Sequence, residues 1–302
     1  DLLRLSAYLK GFDAGRPLPA LYGPPEIAGR FHYNAALDGL NFRRARVTLG
    51  AAFDQLRMYA GQTEPPSLSV QSLPTRGALA GFETANPLPL LDDRVEPRIW
   101  LGNATVTPAH HDPQENIACV VAGRRRFTLF PPEQLPNLYI GPFEHTPAGA
   151  AVSMVDFDAP DLTRHPRFAE AWRSAMVADL EPGDALYIPC LWWHHVRSFG
   201  PLNMLVNYWW TPADPARGDP FHALMHALVA VRDLPAHQRD AWRVMFEHHV
   251  FEPVLPNHLP VHAQGMLGPL DARRVRAMQQ SLVRALDALS TAGEGAKGPP
   301  QT

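Results

Sequence analysis

The sequence predicts a mainly β fold, an antiparallel sandwich or barrel, with helices added at its C-terminal end. Short β-prone runs follow one another between Arg98 and Pro212, and turn residues separate most of them. The 32 prolines favour many turns and an irregular, β-rich middle over a helical bundle. After Trp210 the apolar residues recur at helical spacing instead.

Residues 1–97 are predicted to flank the β core with a helix and short strands. Residues 1–15 form an amphipathic pattern in which charges interrupt the apolar residues, which favours a helix over a signal peptide. A second helix is predicted at Leu49–Tyr59, where Ala and Leu recur. The segments PLP, GPPE, EPP and NPLPL mark the loops.

Residues 98–212 are predicted to form the β core. Its β-prone runs are RIWLG, NATVT, NIACVV, RRFTLF, DALYIP, HHVRSF and NMLVNYWW. The stretch Thr163–Leu180 is predicted to be a helical insertion between them.

Residues 213–290 are predicted to be helical. Three segments carry the pattern: DPFHALMHALVAVRDL, PAHQRDAWRVMFEHHVF and DARRVRAMQQSLVRALDAL. The third places apolar residues on one face, an arrangement typical of a core or of a dimer interface. Residues 291–302, which are polar and rich in glycine and proline, are predicted to be a disordered tail.

Composition argues against several classes of partner. The net charge of −3 gives no strong field toward nucleic acid or an anionic membrane. No apolar stretch approaches the roughly 18–20 residues that a membrane span needs. Cys119 and Cys190 form no motif, which favours buried free thiols but leaves a disulfide open. A cytoplasmic location is predicted.

The segment TPAHHDPQEN, residues 107–116, carries candidate metal ligands. In a strand, positions i and i+2 project to the same face, so His110 and Asp112 point together and His111 points away. Two such ligands and one distant histidine would make a 2-His-1-carboxylate triad. That triad leaves positions open on Fe(II) for O2 chemistry.

The distant histidine is expected near the other end of the β core. The segment PCLWWHHVRSF supplies His194 and His195, and neither alternation nor spacing chooses between them. The alternative is a polar histidine pair on a strand with no metal. An isolated H-x-D motif also occurs by chance.

The run GRRRFTLF can supply a cation for an acidic co-substrate. Arg125 alternates onto the same face as Phe127 and Leu129. If that face is the interior, Arg125 is a buried charge and should meet an anion, and arginine pairs with carboxylates bidentately. Periodicity leaves it equally open that Arg125 points outward or pairs with an internal acid.

Three further polar residues are candidates for the same pocket. Thr107 lies three residues before His110, within reach of the same carboxylate. Asn207 lies among apolar neighbours and needs a partner, either the bound acid or a backbone group. Asn116 shares the face of Asp112.

These motifs resemble the JmjC or cupin-like hydroxylases, among them the asparaginyl hydroxylase that inhibits hypoxia-inducible factor. The matching segments are GNATVTPAHHDPQEN, GRRRFTLFPPEQL, VDFDAPDLTRHPRF, GDALYIPCLWWHHVRSF and LVNYWW. The resemblance is close over Arg98–Trp210 and loose elsewhere. It implies a double-stranded β-helix, the jelly roll of the cupin/JmjC type, that binds Fe(II) and 2-oxoglutarate. It also implies a homodimer formed by the C-terminal helices.

The resemblance assigns roles to individual residues. It implies that His194 is the third iron ligand and that Thr107 and Arg125 hold the remote carboxylate of 2-oxoglutarate. It places Asn116 and Asn207 beside the co-substrate and the metal. Gln71 matches a substrate-contacting glutamine, and Trp209 matches an aromatic residue that lines the site.

The reaction that the resemblance implies is hydroxylation of a protein or peptide side chain, with release of succinate and CO2. The alternatives are hydroxylation of a small molecule or nucleoside, histone-type demethylation, and a cupin module that binds metal without catalysis. The prime substrate is not identified by the sequence.

Four residues depart from the asparaginyl hydroxylase pattern in three places. Arg125 stands where that pattern has lysine, and Ser69 stands where it has a tyrosine that helps to bind 2-oxoglutarate. Ala151 and Val152 replace a polar pair that contacts the peptide substrate. The last departure argues against asparaginyl specificity.

Overall fold

The computed structural model describes residues 1–147 and 149–294, with side chains as far as 289. The chain forms two compact units, Asp1–Thr211 and Pro212–Thr302. In the described residues of the first unit, nine strands form one antiparallel hydrogen-bonded network. The strands are β1 Leu18–Gly23, β2 Arg43–Val47, β3 Ser67–Pro74, β4 Pro97–Gly102, β5 Val106–His110, β6 Glu115–Phe130, β7 Met176–Leu180, β8 Ala185–Ile188 and β9 Trp193–Trp210. Its helices are α1 Leu2–Lys10, α2 Leu49–Tyr59, α3 Phe82–Ala85 and α4 Phe168–Arg173.

The two long strands β6 and β9 pair with each other along their whole length and belong to both sheets of a sandwich. The first half of β9 pairs with β5 and its second half pairs with β4. In the same way, the first half of β6 pairs with β8 and its second half with β7. Strands β3, β1 and β2 extend the sheet beyond β4. The predicted jelly-roll fold of the cupin type is confirmed.

A register shift in the β6–β9 ladder marks the point where the two long strands pass from one sheet to the other. The shifts lie between Val120 and Arg124, on either side of Ala122. Gly123 lies within this irregularity with φ of +75°, a left-handed conformation that glycine adopts without a steric penalty. Such bulges bend a strand and increase its twist, which closes a sandwich.

Helices α1 and α2 cover the outer face of the larger sheet. Leu9, Phe53 and Leu56 are fully buried against side chains of β3, β4 and β9. Each such side chain stabilises the fold by roughly 1.5–3 kcal/mol through the hydrophobic effect. Because Met204 and Val206 face this core, alternation turns the intervening residues of β9 toward the interior of the sandwich.

The predicted helix at Leu49–Tyr59 is confirmed with the predicted bounds, and Thr48 caps it by accepting a hydrogen bond from the Ala51 amide. The predicted helical insertion at Thr163–Leu180 is wrong in its second half. Only Phe168–Arg173 is an α-helix, and Met176–Leu180 is strand β7. Five β7 residues pair with β6, so the backbone bonds of that ladder override the local helical pattern.

The second unit contains the three helices that the sequence predicts. They are α5 Pro220–Ala230, α6 Ala236–Phe246 and α7 Ala272–Glu294, and a π-helical turn, Glu247–Phe251, follows α6. Helix α7 continues through residues 291–294 of the predicted tail, and residues 295–302 lie outside the described part of the chain.

The composition also led to predictions about the two cysteines and about membrane-spanning segments. Cys119 and Cys190 are free thiols, each partly buried. No helix in the described part of the chain is both long and apolar enough to cross a membrane.

Substituting Gly123 by alanine is expected to destabilise the sandwich. The new Cβ would overlap the Asn203 Oδ1 atom and the Leu202 carbonyl oxygen, in addition to the strain of a positive φ. We expect about 1–2 kcal/mol from the backbone conformation and about 1–3 kcal/mol from the overlap. Urea unfolding measures the sum.

Gly200→Ala is the matched control, because Gly200 has φ of +83° but no atom within 4 Å of the position that an alanine Cβ would take. Gly200→Ala should lose only the part of the unfolding free energy that comes from the strained backbone conformation. Equal losses of unfolding free energy in the two variants would contradict the steric account of Gly123.

Candidate metal centre

Three side chains with metal-ligating atoms meet in the interior of the sandwich. His110 is the last residue of β5, and the β5–β9 ladder places it opposite His194. Asp112 follows just beyond the end of the strand and still points to the side of His110. One ligand atom from each of the three residues lies within 4.8 Å of the other two. The sequence-predicted triad is therefore brought together, and its role as an iron site stays a prediction.

Backbone hydrogen bonds orient both imidazole rings. The Nδ1 of His110 lies 2.9 Å from the Pro108 carbonyl oxygen, and the Nδ1 of His194 lies 3.0 Å from that of Trp192. A carbonyl oxygen accepts only, so each Nδ1 carries the proton and donates it. Each Nε2 is then free to act as a metal ligand.

The electrostatics of the triad suit a divalent cation. Burial is the main cause that lowers the pKa of His110, to about 4, and the neighbouring His194 adds to it. Burial alone would raise the pKa of Asp112, but its interactions with the side chains of His194, His110 and His111 lower it to about 2. At neutral pH His110 is neutral and Asp112 is ionised, as metal ligation requires.

The neighbouring histidines lie elsewhere. His111 points away from the triad and packs its ring edge-on against Trp193, with centroids 4.7 Å apart. His195 stacks on Phe157 at 4.4 Å, and burial lowers its pKa to about 3. The structure thus distinguishes His194 from His195, a choice that strand alternation alone leaves open.

The triad opens into a cavity of about 380 Å³ between the two sheets. The nine side chains that the resemblance assigns to the metal, the co-substrate or the substrate all line it, namely Gln71, Thr107, His110, Asp112, Asn116, Arg125, His194, Asn207 and Trp209. Apolar side chains, including Phe127, Val196 and Leu205, complete the inner wall. The cavity therefore combines a metal-ligating end with polar donors in an otherwise apolar chamber.

Arg125 points into this cavity from β6. It is 9% exposed, its Nε has no hydrogen-bond partner, and no carboxylate of the described residues lies within 4.0 Å of its guanidinium. Burial lowers its pKa to about 10, so it is still charged at neutral pH. The outward alternative is excluded, and within the described chain there is no internal acid for it. A buried unpaired guanidinium fits an anionic ligand.

Asn207 is held by side chains, not by backbone groups. Its Oδ1 accepts a hydrogen bond from the Trp100 indole at 2.8 Å, and its Nδ2 donates to the Asn116 Oδ1 at 3.1 Å. This network fixes the orientation of both amides beside the triad. Strand alternation in RIWLG, which turns Trp100 away from the buried Ile99 and Leu101, could have identified Trp100 as a further cavity residue.

The far side of the cavity is shaped by a bulge in β3. The register shifts between Val70 and Leu73, and Ser72 has φ of +44°, which is uncommon for a residue other than glycine. Arg98 donates to both the carbonyl and the hydroxyl of Ser72, and its guanidinium lies 5.5 Å from the Trp209 ring centroid. The bulge directs Gln71 and Ser72 together toward the cavity.

The residues that depart from the asparaginyl hydroxylase pattern are all buried. Ser69 accepts a hydrogen bond from the Gln71 amide at 2.6 Å and does not line the cavity. Ala151 and Val152 are 2% and 0% exposed and also lie outside the cavity lining. Arg44, on β2, does line the cavity, and no sequence motif marks it.

Comparison with known proteins agrees with this geometry. A family model described as a cupin-like domain matches residues 3–215. The chain belongs to this cupin-like family. Both the triad and the whole cavity lie within the matched residues.

Individual relatives of this cupin-like chain include proteins with JmjC names. Human HSPB1-associated protein 1 is 38% identical over 118 residues, which are 38% of this chain and 23% of that protein. Lysine-specific demethylase 8 of Xenopus tropicalis is 35% identical over 121 residues, 40% of this chain and 26% of that protein. Lysine-specific demethylase JMJ30 of Arabidopsis thaliana is 41% identical over 113 residues, 37% of this chain and 25% of that protein.

The chain thus spans about a quarter of the length of the curated relatives it matches. Among solved structures, that of E. coli ycfD is 14% identical, with a TM-score of 0.41, and the match covers 95% of this chain and 61% of that one. This level of likeness carries no conclusion about function.

Metal addition is expected to stabilise the wild-type chain through the triad. A metal that binds only the folded state at a hundred times its dissociation constant adds about 2.7 kcal/mol. We expect Mn(II) or Fe(II) without oxygen to raise the melting temperature of the wild type, measured by scanning fluorimetry. The Asp112→Ala variant should lose this rise.

His195→Phe is the control, because its ring stacks on Phe157 away from the ligand atoms. It should keep the metal-induced rise. Loss of the rise in this variant, or its survival in Asp112→Ala, would contradict the ligand assignment.

Proposed function

We propose that this chain is an Fe(II)- and 2-oxoglutarate-dependent oxygenase that hydroxylates a protein or peptide side chain, with release of succinate and CO2. The observation that carries the proposal is the pairing, in one cavity, of a buried His-Asp-His triad with the unpaired cation Arg125. The triad fits a metal with open positions, and Arg125 fits the remote carboxylate of a dicarboxylic acid.

Each residue has a definite part in this proposal. His110 and His194 present the lone pairs of Nε2, because their Nδ1 protons are engaged by backbone carbonyls. Asp112 supplies the third ligand as a carboxylate whose low pKa keeps it ionised. When bound, iron and 2-oxoglutarate together supply the oxidising chemistry that converts a C–H bond to an alcohol.

The other residues of the cavity would bind 2-oxoglutarate and orient it beside the metal. Arg125 would hold the remote carboxylate of 2-oxoglutarate with two parallel N–H donors, and Thr107 lines the same cavity. The Trp100–Asn207–Asn116 network fixes two amides beside the metal site. Apolar walls exclude water, which strengthens the electrostatic interactions inside.

Three alternative functions differ from the proposed one in the products that they would form. The names of two relatives raise lysine demethylation, which would release formaldehyde. A non-catalytic cupin module would bind metal but form no succinate. A hydroxylase of a small molecule or nucleoside would form succinate without any protein product.

The test of the proposed function is succinate formation from 2-oxoglutarate by the wild-type chain with Fe(II) and O2. The Asp112→Ala variant removes the charged ligand and should reduce succinate to the level without enzyme. Undiminished iron-dependent turnover in that variant would contradict the assignment, and metal binding without succinate in the wild type would favour the non-catalytic module.

Arg125 is expected to govern affinity for 2-oxoglutarate. Hydrogen bonds to a charged group contribute about 1.5–3 kcal/mol, so Arg125→Met should raise the KM for 2-oxoglutarate by roughly ten- to a hundredfold. Arg125→Lys keeps the charge and should show a smaller rise. Succinate formation at varied 2-oxoglutarate concentration gives both values.

The adjacent Arg124→Met is the matched control for Arg125. Arg124 is exposed, and its guanidinium lies 4.9 Å from the Phe199 ring, outside the cavity lining. The KM of Arg124→Met for 2-oxoglutarate should stay within about twofold of the wild-type value, which is a free-energy difference below about 0.5 kcal/mol. A comparable rise of the KM in Arg124→Met and Arg125→Met would contradict the assignment of Arg125 to the remote carboxylate of 2-oxoglutarate.

We also propose that the C-terminal helices form a homodimer. Within the second unit, exposed apolar side chains line α5 and α7, including Val229, Leu282 and Leu289. Exposed apolar side chains along a helix are typical of an interface. A cytoplasmic location stays a prediction from the sequence.

A further inference from the structure

Arg44 is a cation at the mouth of the cavity. It has no role in the binding of iron or 2-oxoglutarate that we propose. It lies on β2 and, with Ala45, lines the cavity that contains the triad. Its side chain is exposed, and one guanidinium nitrogen donates to the Thr146 carbonyl oxygen at 3.2 Å. Among the described residues no carboxylate forms an ion pair with it.

The charges that line the cavity leave Arg44 unmatched. In the described part of the chain, the charged lining residues besides the two histidines are Arg44, Asp112 and Arg125. With the proposed function, divalent iron, Asp112, the doubly charged 2-oxoglutarate and Arg125 neutralise one another. Arg44 then remains as a single positive charge facing the position where a prime substrate must enter.

The surroundings of Arg44 favour an extended segment over a compact acid. Strand β2 is the outermost strand of the sheet and pairs on one side with β1. Arg46, two residues along β2 and on the same face of the strand as Arg44, extends the positive charge over roughly 7 Å. Arg46 donates to the Pro17 carbonyl oxygen and forms no ion pair with a described carboxylate.

We propose that Arg44 selects an acidic peptide segment as the prime substrate, by pairing with a carboxylate next to the side chain that enters the cavity. The inference rests on the proposed function, whose site it deepens. The apolar side chains of Leu21, Ala45 and Pro147 around the mouth reduce the local dielectric and so strengthen this pairing. A cationic methyl-lysine next to the same guanidinium would be repelled.

Fluorescence anisotropy with three labelled peptides tests the proposal on the full chain loaded with Mn(II) and 2-oxoglutarate under nitrogen. The peptides alternate glycine with Glu, Gln or Lys and are otherwise identical. We expect the Glu peptide to bind at least about tenfold more tightly than the Gln peptide, as a charge-assisted pair predicts. The Lys peptide should bind more weakly than either.

The variants assign this preference to Arg44. Arg44→Gln should remove the advantage of the Glu peptide, and Arg44→Lys should restore part of it. Arg57→Gln changes the net charge equally but alters an exposed pair with Asp54 on α2, and it should keep the advantage within about twofold.

Several outcomes would overturn the proposal. They are equal binding of the Glu and Gln peptides, tighter binding of the Lys peptide, no binding of any of them, or equal losses in Arg44→Gln and Arg57→Gln. Succinate formation by the wild type is measured separately, without peptide. Its absence would reject the proposed function, whereas failure of the anisotropy test alone would reject only the acidic substrate.

Discussion

The continuous ladder between β6 and β9 is the constraint on which the rest of the structure depends. Because both strands run through the two sheets, their register determines which side chains face the interior on each side of the bend. The same ladder sets Leu129 opposite His194 in one sheet and Ala118 opposite Asn207 in the other. A slip of one residue would turn Arg125 outward and move His194 away from His110.

Burying a polar group costs free energy, and the polar side chains inside this sandwich fall into two kinds in that respect. The amides of Asn116 and Asn207 are hydrogen-bonded to each other, and that of Asn207 also accepts from Trp100. The guanidinium of Arg125 is left without a carboxylate partner among the described residues. A hydrogen-bonded network stiffens the cavity wall, while a buried charge without a partner favours an anionic ligand.

The cavity also separates the triad from the side chains at its mouth. The triad and Arg125 lie on or beside β5, β6 and β9, inside the sandwich. The mouth is formed by β1, β2, the β3 bulge and the loop near Pro147. With the proposed function, exchange of side chains at the mouth would alter the substrate without moving the triad.

The sequence by itself determined the β core, the helix at Leu49–Tyr59 and the pairing of His110 with Asp112, because these follow from local periodicity and turn residues. Resemblance to a family added His194. Tertiary structure alone decided that Arg125 faces inward without an acid among the described residues, that residues 176–180 are a strand, and that Arg44 reaches the cavity. Each of these depends on a pairing between segments distant in the chain, which a local pattern does not encode.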